Sequence, residues 1–319
     1  MTASNVADAT ATISCTVPVV NLSDAEAAAW RAWRAPIVVV DYHKGNLSSV
    51  IQGLSHAGAV EVSSSDDVDA IRGAAGVVLP GVGSFYDAID FMAQSGEAAA
   101  VADAIAAGVP FLGICLGQQL LFERGDEGVP ADAPCVPEAE LADAYGSGLT
   151  PGTVFEAEGK RWVRGLGILK GSCARLDGSR LKVPHVGWDQ VHPTAVGASC
   201  PLIEGFPEGA NMYFTHSYAL DDDVDPAVVA ARTHYTRSFA SIVACGNVFG
   251  CQFHPEKSSG RGLDILRNFV RTVRARAGAD DVDQDALAAA QAKIEAAADA
   301  APVAVCGASG SAAPGEVRA

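Results

Sequence analysis

The sequence predicts an α/β fold: an open, mostly parallel sheet flanked by helices, with an antiparallel extension in its second half. Three observations carry this. Short apolar runs of Val, Ile and Leu alternate with helix-length stretches from about residue 37 to about residue 121, the pattern of parallel strands buried on both faces. Beyond about residue 160 the runs crowd together with turns between them, as antiparallel strands do. Hydrophobic residues make up 49% of the 319 positions, enough to bury the core of one or two domains.

The elements follow in order. Ile37-Val38-Val39-Val40 is the first convincing strand, and a helical stretch over 46–57 follows it. Val60 to Val62 reads as a strand, 66–73 as a short helix, and Val77-Val78-Leu79 as the next strand. Helices are expected over 84–107, a strand from Val109 to Ile114, and a further helix from about 116. In the second half, 162–176, 182–191, 211–220, 227–234, 240–244 and 247–253 read as short strands, and a last helix spans about 260–276. This places one domain over 36–277. Within it, 129–164 is expected to be an inserted loop, because prolines and glycines stand among acidic residues there without clear periodicity. Residues 1–35 form an Ala- and Thr-rich extension, and 278–319 an acidic, Ala-rich tail with a helical stretch near 284–299. The composition of that tail is one that buries little and stays mobile. No internal repeat is visible.

Composition excludes several function classes. Thirty-eight Asp and Glu against 22 Lys and Arg leave a formal charge of -16, which repels phosphate backbones and anionic lipid, so neither nucleic acid nor a membrane is an expected partner. No uncharged apolar run reaches the length of a membrane span and no leader pattern opens the chain, so a cytoplasmic location is expected. The eight cysteines are scattered without a CxxC pair and read as reduced thiols rather than disulfides or a zinc site. Cys15, Cys135 and Cys306 lie in segments not expected to be core. No metal or cofactor is expected.

In Val109-Pro-Phe-Leu-Gly-Ile-Cys-Leu-Gly, Cys115 stands between Gly113 and Gly117 where a buried strand gives way to a helix. This is a nucleophile elbow with sulfur in place of oxygen: glycines relieve the sharp turn, the helix N-terminus favours the thiolate, and the Leu116 N–H faces a developing oxyanion. Taken alone, the pentapeptide suits a buried structural cysteine equally well. A base tips the balance. Phe249-Gly-Cys-Gln-Phe-His-Pro-Glu-Lys delivers His254 from the end of a strand at Phe253, and Pro255 holds the backbone extended so that Glu256 can reach the imidazole Nδ1–H. The two parts are about 140 residues apart, as befits partners adjacent in space rather than in sequence. Gly76-Val-Val-Leu-Pro-Gly-Val-Gly-Ser-Phe sets a glycine-rich turn after another strand, where Gly81 and Gly83 let the N–H groups of Val82 and Gly83 approach a tetrahedral oxygen. A helix-capping turn at Ser84 is the plain alternative. A phosphate loop lacks its Gly-Lys-Ser/Thr.

These residues resemble the class I glutamine amidotransferases, and more narrowly the glutaminase subunits of imidazole glycerol phosphate synthase. Gly-Ile-Cys-Leu-Gly and Phe-His-Pro-Glu match the broad class. The narrower likeness rests on Asp41-Tyr42, Gly45-Asn46-Leu47, Leu79 to Phe85, Gln119 to Glu123, Gly165-Leu-Gly167, Pro184-His-Val-Gly-Trp188, Tyr213 to Tyr218 and Phe253 to Ser258. It covers about 36–276 except the insertion. The Pro-His-x-Gly-Trp and Tyr-Phe-x-His-Ser-Tyr segments argue against glutaminases serving anthranilate, guanylate or pyridoxal phosphate synthesis. The resemblance implies a class I glutamine amidotransferase-like fold and a Cys115, His254, Glu256 triad that hydrolyses glutamine. It also implies glutamine held by Gly83, Gln119, Glu127, His216 and Ser217, with Glu127 on its ammonium group. The implied partner is a (β/α)₈ cyclase subunit forming a heterodimer, which receives ammonia to make imidazole glycerol phosphate and an aminoimidazole carboxamide ribotide in histidine biosynthesis. Lys257 and Ser258 would lie where the docked cyclase touches them. Asp189, where such subunits more often carry Asn, and His43-Lys44 depart from the pattern.

Overall fold

In the computed structural model of the chain, residues 20–300 are described, with side chains to 296. Cys15, Cys306 and most of the two expected extensions, 1–19 and 301–319, lie outside these residues.

The elements are α1 (Asp24–Arg34), β1 (Ile37–Val40), α2 (Leu47–His56), β2 (Val62–Ser65), α3 (Val68–Gly73), β3 (Gly76–Gly81), α4 (Phe85–Ser95), α5 (Glu97–Ala106), β4 (Phe111–Cys115), α6 (Leu116–Gln119), β5 (Phe122–Gly125), β6 (Cys135–Val136), β7 (Val154–Ala157), β8 (Lys160–Arg164), β9 (Leu169–Arg175), β10 (His185–Pro193), β11 (Ala210–His216), β12 (Tyr218–Leu220), β13 (Val229–His234), β14 (Ser238–Cys245), β15 (Val248–Cys251), α7 (Ser259–Ala277) and α8 (Gln284–Ala300).

A nine-stranded sheet runs β11-β10-β13-β14-β15-β4-β3-β1-β2. From β15 to β2 the strands are parallel, and from β11 to β15 they are antiparallel. The period-2 alternation of a strand sorts its side chains between two cores. Val39, Val78, Leu112 and Ile114 pack with Val50, Leu54, Leu266 and Phe269, from α2 and α7. Their neighbours Val38, Val40, Val77, Leu79 and Phe111 pack on the other face with Phe85, Ile89 and Val101, from α4 and α5. The expected open sheet with an antiparallel extension is therefore present.

Three local expectations are corrected. The helix from 116 is a single turn, and the chain then enters β5, because Leu120, Leu121 and Phe122 are all fully buried, which the one apolar stripe of a surface helix does not allow. The edge strand β2 begins at Val62 rather than Val60 and carries Ser63, Ser64 and Ser65, since an edge strand has solvent on one side and needs no apolar run. The 129–164 segment is no loop. It contributes β6, β7 and β8 to a second, six-stranded sheet, β12-β9-β5-β8-β7-β6. Phe155, Ala157 and Trp162 make a small core of their own, and the Arg124 guanidinium lies 4.1 Å from the Trp162 ring centroid and 2.8 Å from Glu158. These short strands, with one face on a small core, show only brief alternation, which the surrounding acidic residues mask.

By contacts, residues 31–282 form one compact unit, and the described parts of 20–30 and 283–300 belong to another. In the latter, Ser23 and Glu26 make a reciprocal N-terminal cap, with Glu26 Oε2 2.7 Å from the Ser23 N–H. Glu26 also pairs with Lys293 at 2.6 Å.

Candidate active site

The parallel strands point their C-terminal ends at one edge, where open α/β sheets place ligands. Cys115 ends β4 with φ 55° and ψ -108°, a conformation costly for a residue with a Cβ and kept only where packing enforces it. The packing is explicit. A Cβ on Gly117 would stand 1.8 Å from the Leu79 carbonyl oxygen, and one on Gly113 2.5 Å from the Gly117 oxygen, so the turn closes directly on β3. Cys115 is nearly buried. Its Sγ accepts from Gln252 Nε2 at 3.6 Å and lies 4.0 Å from Thr215 O.

The ladder of β15 ends at Cys251 rather than Phe253, although the Gln252 N–H still reaches Ser241 O at 2.9 Å. His254 follows in extended backbone, and Pro255 opens the 3-10 turn that carries Glu256. Glu256 Oε1 accepts from His254 Nδ1 at 2.8 Å, with both side chains buried. That leaves His254 Nε2, which is buried and makes no hydrogen bond, as does Glu256 Oε2. Burial opposes charge on this imidazole, yet Cys115 and then Glu256 outweigh it and push its pKa up to about 10.

Ser258 holds the turn in place. Its hydroxyl donates to His254 O at 2.6 Å and accepts the Tyr213 N–H at 3.0 Å. It is buried while Lys257 is exposed, so of the two residues expected to meet a partner only Lys257 faces solvent.

A cavity of about 300 Å³ opens over Cys115. Its walls bring together Val82, Gly83, Leu116, Gln119, Glu127, His216 and Ser217, while His254 and Glu256 are not among the lining residues. Gly83 takes φ +102°, which glycine adopts without strain. The Val82 N–H is committed to the Tyr42 hydroxyl at 3.2 Å. Gln119 donates to Tyr218 O at 2.8 Å and to Gln252 Oε1 at 3.0 Å, so its carboxamide oxygen is the end left for a ligand. Both nitrogens of His216 are occupied, Nδ1 by Tyr218 O at 2.7 Å and Nε2 by His185 Nδ1 at 3.2 Å. Burial brings its pKa down to about 3, so it is neutral. Glu127 is shifted the other way: burial first, then Asp126 and Asp87, raise its pKa to about 7.

Gln252 and Tyr42 were given no role from the sequence, although Tyr42 stands in the Asp41-Tyr42 motif. The signal for Gln252 was its place two residues before His254, on the same face of a period-2 chain. Tyr42 had no local signal, because its contact with Val82 spans 40 residues.

Comparison with known proteins agrees with this architecture. The family model "Glutamine amidotransferase class-I" matches residues 38–273. The imidazole glycerol phosphate synthase subunit HisH of Moorella thermoacetica is 41% identical over 240 residues, covering 75% of this chain and 96% of that protein. The HisH of Natronomonas pharaonis is 42% identical over 240 residues, covering 74% and 94%. Among solved structures, PurLQS from Thermotoga maritima superimposes with a TM-score of 0.52 at 18% identity, covering 75% of this chain and 99% of that one, a likeness of fold alone. The chain thus belongs to the class I glutamine amidotransferases and, within them, to the family of the imidazole glycerol phosphate synthase subunit HisH.

Proposed function

We propose that Cys115, His254 and Glu256 carry out the glutaminase half-reaction of an imidazole glycerol phosphate synthase in this chain, and that the ammonia passes to a (β/α)₈ cyclase subunit. One observation carries the reading: a strained, cavity-facing thiol in front of a buried His254–Glu256 pair whose Nε2 is free. Glutamine enters with its ammonium group toward Glu127 and its side-chain amide over Cys115, where Gln119 Oε1 and the backbone around His216 and Ser217 complete its polar contacts. His254, whose raised pKa favours its protonated form, already holds the proton that the Cys115 thiol gives up, and Sγ attacks the amide carbon. The resulting oxyanion meets the N–H of Leu116 and that of Gly83 or, once released from Tyr42, of Val82. Collapse expels ammonia, which carries off the proton from His254, and leaves a thioester. Water then attacks, giving its proton to His254, and glutamate leaves as Sγ is regenerated. Glu256 keeps the imidazole in the tautomer this requires.

The test is Cys115→Ser in the complex with the cyclase. Glutamate formation should fall by at least about 10³-fold, because an unactivated hydroxyl replaces the thiol, while cyclase product from added ammonium salt at raised pH persists. Normal glutamine turnover in this variant would remove Cys115 from the mechanism.

A further inference from the structure

A chain of hydrogen-bonding groups runs from the surface to the cavity wall. His185 and His216 face each other across the β10–β11 register. His216 Nδ1 lies 2.7 Å from Tyr218 O, and His216 Nε2 lies 3.2 Å from His185 Nδ1. His185 Nε2 is in turn 3.3 Å from Asp189 Oδ2, while Asp189 Oδ1 is anchored by the Gln190 N–H at 2.8 Å. His185 cannot swing out of line, being stacked between Tyr235 at 4.0 Å and Phe214 at 4.8 Å.

The chain is short of a proton. It has three links, each needing one hydrogen, and its two ends, a backbone carbonyl and a carboxylate, are acceptors only. Two neutral imidazoles bring one N–H each. Changing the tautomer of either ring moves the bare link without filling it, and wherever it falls two lone pairs oppose each other.

We propose that the Asp189–His185–His216 chain takes up one proton from solvent to close its third link, and that this proton fixes the His216 ring at the wall of the glutamine cavity. The link to catalysis rests on the glutaminase reading above. The charges facing the chain place the proton. On β10 Asp189 favours it, whereas at His216 both His254, beyond β15, and Arg237, just before β14, oppose it; Tyr235 covers His185 without charge. Burial opposes it throughout, most at His216, so the added proton resides at the His185–Asp189 link. Because burial outweighs Asp189, His185 sits below the ordinary imidazole value. The chain is therefore complete on the acid side and opens as pH rises, leaving His185 Nε2 against a carboxylate. Asn at 189 would donate an amide hydrogen into His185 and complete the chain at every pH without charge.

The experiment compares the full-length chain with Asp189→Asn by ¹⁵N shifts of labelled histidine from about pH 4.5 to about pH 8. In the unsubstituted chain, His185 should have both nitrogens protonated at low pH and lose one proton as pH rises, while His216 stays neutral. In Asp189→Asn, His185 should keep one state. An unchanging His185 in the unsubstituted chain, or the same titration in the variant, overturns the proposal. In the complex with the cyclase, the ratio of kcat/KM for glutamine, Asp189→Asn over unsubstituted, should rise by about threefold or more with pH across that transition; the ratio cancels the Cys115 and His254 limbs common to both. A flat ratio would detach the chain from the cavity. Absence of glutamate formation in both proteins would sink the glutaminase reading, and the nitrogen shifts would still decide the proton.

Discussion

Glu127 shows how one residue's surroundings set its working pH. Its carboxyl lies against the cavity beside Asp126 and Asp87, and burial with those charges raises its pKa to about 7. Only the ionised form attracts an ammonium group. As pH falls through about 7 that form is lost, so KM for glutamine should rise by about tenfold between about pH 8 and about pH 6. Glu127→Gln should have a high KM with no such slope, and a variant whose KM followed the native pH course would exclude Glu127 from glutamine binding. At this scale Cys115, His254 and Glu256 were legible because each stands in a short motif. Gln252, which donates to Cys115 Sγ at 3.6 Å, was not named, because its only mark is its place two residues before His254 on the same face of the extended chain.

Elements with strong periodicity emerged where the pattern put them, as with α7 and the parallel strands. Apart from the exposed edge strand β2, the exceptions have a common cause: burial by distant residues. Leu120, Leu121 and Phe122 leave the helical path because β8 and β9 flank Phe122 to Gly125 on both sides. The 129–164 segment folds onto Arg124, Trp162 and Phe155, a core too small to write a long pattern into the chain. Phe155→Ala should lower stability by about 3–5 kcal/mol, the usual cost of truncating a fully buried Phe. Urea unfolding would measure it, and a change under about 1 kcal/mol would mean this small core contributes little. Because Phe155 lies outside the cavity lining, glutamine turnover well below the unfolding midpoint should be nearly unchanged.

On the scale of the whole molecule the question is coupling to the cyclase. The Val82 N–H, one of the expected oxyanion donors, is held by Tyr42 at 3.2 Å, so its use in catalysis requires that bond to break. A net hydrogen bond of about 1 kcal/mol corresponds to roughly a fivefold change in population. The free subunit should accordingly be a slow glutaminase, and Tyr42→Phe should raise its kcat by about fivefold, while changing the complex little if docking of the cyclase selects the released state. Steady-state turnover of free subunit, complex and substrate-loaded complex, with and without the substitution, checks this; equal rates in all three native states would refute the coupling. By itself, the sequence determined the layered α/β class, the elbow at Cys115, the His254–Glu256 pair and the family, because these depend on local turns, on apolar periodicity and on short motifs. Tertiary structure alone decided that β5 replaces a helix, that 129–164 joins a second sheet, that Tyr42 holds Val82 and that Asp189 reaches His216 through His185. Each of those depends on groups brought together from separate strands, where burial and hydrogen-bond count, not neighbours in sequence, determine what a residue can do.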